Sequence, residues 1–281
     1  MADLPSTIYP AIVKNRQVYE SFESSLKLKI INIRQLKATG NYGAQSLKAP
    51  FNRIYIVQKG EVILKSPEHE WKLLPGHVYL IPLNANFSCQ YVKGLVKTYL
   101  HFRLEFLPGQ DVFENINECY ELARFSQADL KSLVHYFEQD SAIAFVHTKS
   151  ILMSWLSQLM FTEKIGIDYE EKHYQKYHLV FDSINANLSA NHSIAHLAKK
   201  MHMSQSNFAK CFRRDTGFSP KAYLNKRLVA EAQHLLISNT QSIATIAYHL
   251  KFEDEHYFSR FFKKNTGFSP SDYRKFHPDI K

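Results

Sequence analysis

The side chains best placed to do chemistry in this sequence are cations. FRRDTGFSP at residues 212–220 and FKKNTGFSP at residues 262–270 set Arg213 and Arg214, then Lys263 and Lys264, just ahead of one pentapeptide that is spelled twice. Residues 1–171 hold 18 Lys+Arg and 18 Asp+Glu, whereas residues 172–281 hold 17 and 8, so the entire formal charge of +9 lies in the C-terminal part. Such a segregation is the electrostatic footprint of a segment that meets a polyanion; a solvated basic surface is the plain alternative. Three cysteines, Cys89, Cys119 and Cys211, show no CxxC spacing and leave one over in any pairing. That argues against a disulfide framework or a structural zinc site.

The elements that must position those cations are legible in the repeat. NFAKCFRRDTGFSPKAYLN (207–225) aligns with YFSRFFKKNTGFSPSDYRK (257–275), keeping Phe208/Phe258, Phe212/Phe262 and Tyr223/Tyr273, and SIAHLAKKM (193–201) aligns upstream with SIATIAYHL (242–250). Ile194, Leu197, Ala198 and Met201, like Ile243, Ile246, Ala247 and Leu250, recur at i, i+3, i+4 and i+7, the stripe of a short amphipathic helix. Ser204 and Asp254 are suited to N-cap a second helix, whose phenylalanines face inward at i, i+4 and whose remaining surface is polar and basic. Two helices joined by a tight turn make a helix-turn-helix. TGFSP then reads as a joint: Gly217 and Gly267 end the helix in a left-handed conformation, with Phe218 and Phe268 as the apolar contact that follows. Ser219 with Pro220, and Ser269 with Pro270, cap and start the next helix. Between the units, Leu224, Leu228, Ala232, Leu235 and Leu236 line a helix of roughly sixteen residues, about 24 Å long. A rod of that order can set two exposed helices into successive major grooves on one side of a duplex, about 34 Å apart.

The C-terminal hundred residues resemble the DNA-binding domain of the AraC/XylS transcription regulators, on the strength of IAHLAKKMHMSQSNFAKCFRRDTGFSPKAYLNKRLVAEAQHLL followed by IATIAYHLKFEDEHYFSRFFKKNTGFSPSDYR. The resemblance implies one monomer with two helix-turn-helix units, and base contacts from Gln205, Ser206, Ala209 and Lys210 in the first and Glu255, His256, Ser259 and Arg260 in the second. Gln205 suits adenine, Arg260 guanine O6 and N7, Lys210 guanine or a phosphate, and Glu255 cytosine N4, while Ala209 offers only a methyl group. Arg213 and Lys263, with Arg214 and Lys264, stand later in their helices, where phosphate contact or solvation is expected. For any single one of these residues a solvated face is the alternative. In the second unit's turn the family usually has glycine before phenylalanine, and this chain has Lys251 before Phe252; lysine in a left-handed turn costs about 1 kcal/mol relative to glycine. The first unit, with His202 and Met203, matches the family more comfortably.

The N-terminal half has another texture. NRIYIVQKGEVILKS, EWKLLPGHVYLIPLNANFSCQYV and KTYLHFRLEF are β-rich runs separated by Lys59-Gly60, Pro75-Gly76 and Asn84, which suggests an antiparallel barrel. Over residues 25–106 this order resembles the cupin-like sensor domain that precedes the reader in many regulators of the family. A cupin enzyme needs metal ligands, yet no HxH pair lies near FNRIYIVQKGE, Asn86 stands roughly where a second-motif histidine would, and His69, His77 and His101 are scattered. No metal and no cofactor are therefore expected. By analogy with the family, a small-molecule effector, sugars included, occupies the barrel, with Tyr55, His77, Tyr79, Phe87, Tyr99 and His101 as candidate contacts; the aromatic ones serve equally well as core.

The expected fold class is α+β: an effector-sensing, cupin-like domain (1–125), a helical dimerisation region and linker (126–171), and an all-α tandem helix-turn-helix domain (172–281). Helical stripes at Leu130, Leu133, Val134 and Phe137, and at Ile151, Leu152, Trp155, Leu156 and Leu159, need a partner surface, either the barrel or a second copy. Residues 162–176 read as a polar linker before a helix near Tyr177. The expected function is a sequence-specific, effector-modulated transcription regulator and not an enzyme, its alternative being a metal-dependent cupin enzyme tethered to DNA. Expected partners are double-stranded DNA, the effector, a second copy of the chain and, for an activator, RNA polymerase. With 45% apolar residues, no run of eighteen and no signal-type N-terminus, a soluble cytoplasmic protein without a membrane partner is expected. The effector, the operator and the direction of regulation are not legible in the sequence.

Overall fold

The computed structural model describes residues 26–44, 46–107, 109–165, 171–238 and 240–276. It is a mixed α/β chain with antiparallel sheets first and helices after. The strands are β1 (Lys27–Lys37), β2 (Tyr42–Ala44), β3 (Asn52–Lys59), β4 (Val62–Lys65), β5 (Glu70–Leu73), β6 (His77–Ile81), β7 (Ser88–Tyr91), β8 (Val96–Leu107), β9 (Gln110–Asp111) and β10 (Tyr120–Arg124). They form two sheets, one in the order β1-β8-β3-β6-β10 with β9 beside β8, the other β2-β7-β4-β5. All pairings are antiparallel.

Alternation along β3 and β8 decides which side chain meets which layer. Ile54, Ile56, Leu100, Phe102 and Leu104 point to one face, where helices α1 (Gln127–Phe137) and α2 (Ala142–Thr162) cover them with Leu130, Leu133, Val134, Phe137, Leu152, Trp155, Leu156 and Leu159. The sheet thus covers most of the stripes read from the sequence, and Ile151 is partly buried against the same core. Tyr55, Val57 and Tyr99 point the other way, into a core shared with Val62, Leu64, Phe87 and Tyr91 of the second sheet's side.

The helical part comprises α3 (Glu171–Ala186), α4 (Ile194–Lys200), α5 (Gln205–Thr216), α6 (Pro220–Ser238), α7 (Ile243–His249), α8 (Glu255–Thr266) and α9 (Pro270–Phe276). Helix α3 starts inside the stretch read as linker, because EEKHYQ holds good helix formers and neither glycine nor proline; residues 166–170, the middle of that stretch, lie outside the described residues. The rod, α6, has 19 residues, hence about 28 Å at 1.5 Å per residue, longer than the sequence stripe alone suggests. Its apolar face, Leu224, Leu228, Ala232 and Leu236, is buried, in one core with Phe208, Phe212, Phe258 and Phe262. Ala49 and Phe51, from the chain before β3, belong to that same core.

Candidate nucleic-acid interface

Each helix-turn-helix is assembled from the same local parts. Ser193 and Ser242 accept the backbone N–H of His196 and Thr245 to start α4 and α7. The turns match: Met203 N donates to Ala198 O and Phe252 N to Ala247 O, both at 3.0 Å. Both turns also place a non-glycine residue in the left-handed region, His202 at φ 52° and Lys251 at φ 59°. The backbone thus makes the same demand of His202 as of Lys251, and the second turn keeps the geometry of the first.

Ser204 and Asp254 then cap α5 and α8, accepting from Asn207 N at 3.3 Å and Tyr257 N at 2.6 Å. Gly217 and Gly267 close those helices at φ 81° and 84°, with nothing within 4 Å of a Cβ built on either, so conformation rather than crowding calls for glycine. Ser219 and Ser269 cap the next helices through Ala222 N and Asp272 N. Inside, Phe212 meets Tyr223 with ring centroids 5.6 Å apart, and Phe262 meets Tyr273 at 5.2 Å. The repeat in sequence is thus a repeat in packing.

This scaffold leaves the candidate readers outside. Gln205, Ser206, Lys210 and Arg213 on α5, and Glu255, His256, Arg260 and Lys263 on α8, are exposed; Ala209 and Ser259 are half-buried. Lys210, Arg213, Arg260 and Lys263 enter no ion pair among the described residues, which leaves their charge available to phosphate or base edges.

Arg214 differs. Its Nε lies 2.7 Å from Asp215 Oδ1, while Asp215 Oδ2 takes Lys176 Nζ at 2.6 Å and the Tyr177 hydroxyl at 2.9 Å. Burial pushes the Asp215 carboxyl up, but the bonds from Arg214, Lys176 and Tyr177 outweigh it and hold the group well below the usual carboxylate range. The same contact, with burial, raises the Tyr177 phenol. This cluster pins α5 to α3, and the sequence reading missed it. Its only signal was Asp215 standing where the second copy has Asn265.

The six candidate effector contacts fall in and beside the inter-sheet core. Tyr55, Tyr79, Phe87 and Tyr99 are buried there. His101 is buried and stacks on Phe51 with centroids 4.2 Å apart. His77 is half-buried, its Nδ1 3.1 Å from Glu121 Oε2. Among them sits a group the sequence reading did not single out, the fully buried Lys97. Its Nζ donates to the Tyr91 hydroxyl at 3.0 Å and lies 3.3 Å from the Tyr55 ring centroid, the cation–π arrangement that makes a buried ammonium tolerable.

The N-terminal and helical parts are docked through α6 and the end of α5. Lys226 Nζ lies 2.6 Å from Glu114, Arg227 Nη1 lies 3.4 Å from Glu105 Oε2, and Gln110 Nε2 reaches Thr216 O at 3.5 Å. Among the described residues no helix is long and apolar enough to cross a membrane, and no group of three or more His, Cys, Asp or Glu side chains is arranged to hold a metal.

A β-sheet domain docked on two capped helix-turn-helix units, each presenting one exposed polar helix, defines a DNA-binding regulator of transcription. Residues 197–275 match the helix-turn-helix domain family. The chain is similar to the lactose operon transcription activator of Staphylococcus xylosus, at 24% identity over 236 residues, 79% of this chain and 82% of that one. It is also similar to the transcriptional activator RhaS of Escherichia coli O157:H7, at 33% over 63 residues, 22% of this chain and 23% of that one. Its fold is similar to that of an apo ToxT variant from Vibrio cholerae, with a TM-score of 0.50 at 15% identity, over 90% of this chain and 97% of that one. Residues 197–275 thus form a helix-turn-helix domain of the matched family, and the curated relatives that the chain resembles are transcription regulators.

Proposed function

We propose that the protein is an effector-responsive regulator that reads two segments of major groove on one side of a duplex, one with α5 and one with α8. Gln205, Ser206, Ala209 and Lys210 are the base readers of the first, Glu255, His256, Ser259 and Arg260 those of the second, and Arg213 and Lys263 hold phosphates. The observation that carries this reading is the duplication: two helices with matching caps, matching left-handed turns and matching buried phenylalanines expose the same positions to solvent. Matched frames with unlike readers are what reading two different short sequences requires. The docking of α6 onto Glu105 and Glu114 supports the effector response, since the rod between the readers is held by the N-terminal domain. The two sheets are taken as a cupin-like barrel, which their antiparallel order supports, and the protein as neither an enzyme nor a membrane partner.

A second copy pairs through the outer side of α2, where Ile143, Val146 and Phe161 are 83%, 62% and 88% exposed. Selection of randomised duplexes by the full chain at fixed salt tests the reading. The expected product is two short preferred blocks about one helical turn apart, duplicated where two copies bind. Enrichment of no sequence would overturn it.

A further inference from the structure

Between the β domain and the C-terminal helices lies a cleft of about 510 Å³, a volume ordinary for a small-molecule site, and domain boundaries are where such sites concentrate. Its walls come from three places: Lys48 and Asn84 from loops of the β domain, Asn225 and Lys226 from α6, and Asn265 and Phe268 from the end of the second reader. Two of the walls meet at Glu114, whose backbone carbonyl accepts Asn84 Nδ2 at 2.9 Å and whose carboxylate takes Lys226 Nζ at 2.6 Å. Asn265 is oriented by donating to Phe261 O at 2.7 Å. In both fixed amides one N–H is used on a backbone carbonyl, which leaves the second N–H to donate and the amide oxygen to accept from a ligand.

The chemistry of this lining is specific. The lining is largely apolar, as in most ligand pockets, and within it carboxamides come from all three walls. Of the cations in the lining, Lys226 is paired with Glu114 and Arg103 lies 2.9 Å from Glu105, which leaves the charge of Lys48 for a ligand. Lys48 is exposed and makes no ion pair among the described residues. Phe268, 45% exposed, presents ring area at the cleft, while its counterpart Phe218 is half-buried under Lys226.

We propose that this cleft binds a small hydroxyl-rich anion, a hydroxy acid or a phosphorylated sugar, and is the effector site. The carboxamides serve hydroxyls, Lys48 takes the anionic group, and the Phe268 ring covers an apolar C–H face. The proposal rests on the effector-responsive reading and gives the effector a site other than the inter-sheet core. Because the walls belong to the β domain, the rod and the second reader, an occupant binds the docked arrangement and not an undocked one. It therefore shifts the balance between the two by its differential affinity.

The test is thermal unfolding of the full chain with glucose 6-phosphate, citrate, glucose or inorganic phosphate, each at about 10 mM. Glucose 6-phosphate or citrate is expected to raise the midpoint by about 2–4 °C, and glucose and phosphate, which each carry half of the chemistry, by less. A response to citrate alone assigns a hydroxy acid, and one to glucose 6-phosphate alone a phosphorylated sugar. Ala222→Trp, at an exposed position lining the cleft, is expected to abolish the rise, and Lys48→Ala to weaken apparent affinity about tenfold. Asn225→Leu, read the same way, replaces Ala222→Trp should that variant not fold. No rise with either anion, or a rise that survives the blocking variant, overturns the proposal. Duplex selection on the same preparations separates the two readings: retained sequence preference with no cleft response sinks the cleft alone, whereas lost preference sinks the regulator reading.

Discussion

At the scale of single residues, the readers divide by the kind of contact their chemistry allows. Arg260 is exposed on α8 and suited to guanine, so Arg260→Ala is expected to cost about 1–3 kcal/mol and to relax preference at one base pair, measured by titration against single-base variants of the selected site. Lys263, a turn further on, is expected to act through phosphate. Lys263→Ala should weaken all duplexes alike and reduce the slope of log affinity against log salt by about one unit; selective loss of one sequence would contradict that role. Asp111 gives a residue-scale test of stability. It accepts from Asn52 at 2.9 and 3.0 Å and from the backbone N–H of Leu104 and Phe113 at 3.0 Å each, yet burial outweighs these bonds and the Arg103 charge and pushes its carboxyl up to about 6. Between that value and the 3.8 of a free aspartate, the folded chain holds a proton that the unfolded chain has lost. Its contribution to stability therefore grows as pH falls through 6 and is complete below about 4. Urea unfolding of the wild type against Asp111→Asn should show the difference shifting in favour of the wild type by up to about 3 kcal/mol from pH 7 to pH 4. A constant difference would show that Asp111 does not titrate in that window.

At the scale of elements, the helix-turn-helix units were legible because their signals are local. A serine or aspartate cap, a glycine at the left-handed stop and a serine–proline restart each act within a few residues, and the structure shows each where the sequence placed it. The left-handed turns yield a test: Lys251→Gly and His202→Gly should each stabilise the chain by about 0.5–1 kcal/mol, read as a higher midpoint in urea. No gain at either position would mean that the side chain's own contacts offset the backbone cost. What the sequence did not disclose is tertiary. The Asp215 cluster joins residues some forty positions apart. Lys97 is an ordinary lysine in a strand until Tyr55, Tyr91 and Tyr99 close around it. The helical stripes of α1 and α2 stated that a partner was needed without stating which, and the sheet supplies it for most of their residues. The face left over, with Val146 at its centre, is the one assigned to the second copy. Val146→Asp should accordingly yield a monomer in sedimentation at concentrations where the wild type is dimeric, and an unchanged dimer would move the interface elsewhere.

At the scale of the whole molecule, the two domains share structure rather than merely touching. Ala49 and Phe51 lie in the core that holds Phe208, Phe258 and the apolar face of α6, and Phe51 also stacks on His101 of β8. One aromatic ring therefore finishes both halves. This has a consequence for biosynthesis, because the segment carrying Phe51 leaves the ribosome long before α9, which completes the helical core. At translation rates of about 5–20 residues per second, that interval is roughly 10–45 s. During it the nascent β domain presents this aromatic side chain to solvent and, once made, Glu114 without the Lys226 that later pairs with it. A newly made chain is thus adhesive at the place where its second half will dock, and slow or interrupted synthesis is the circumstance in which this protein is most exposed to pairing with the wrong copy of itself.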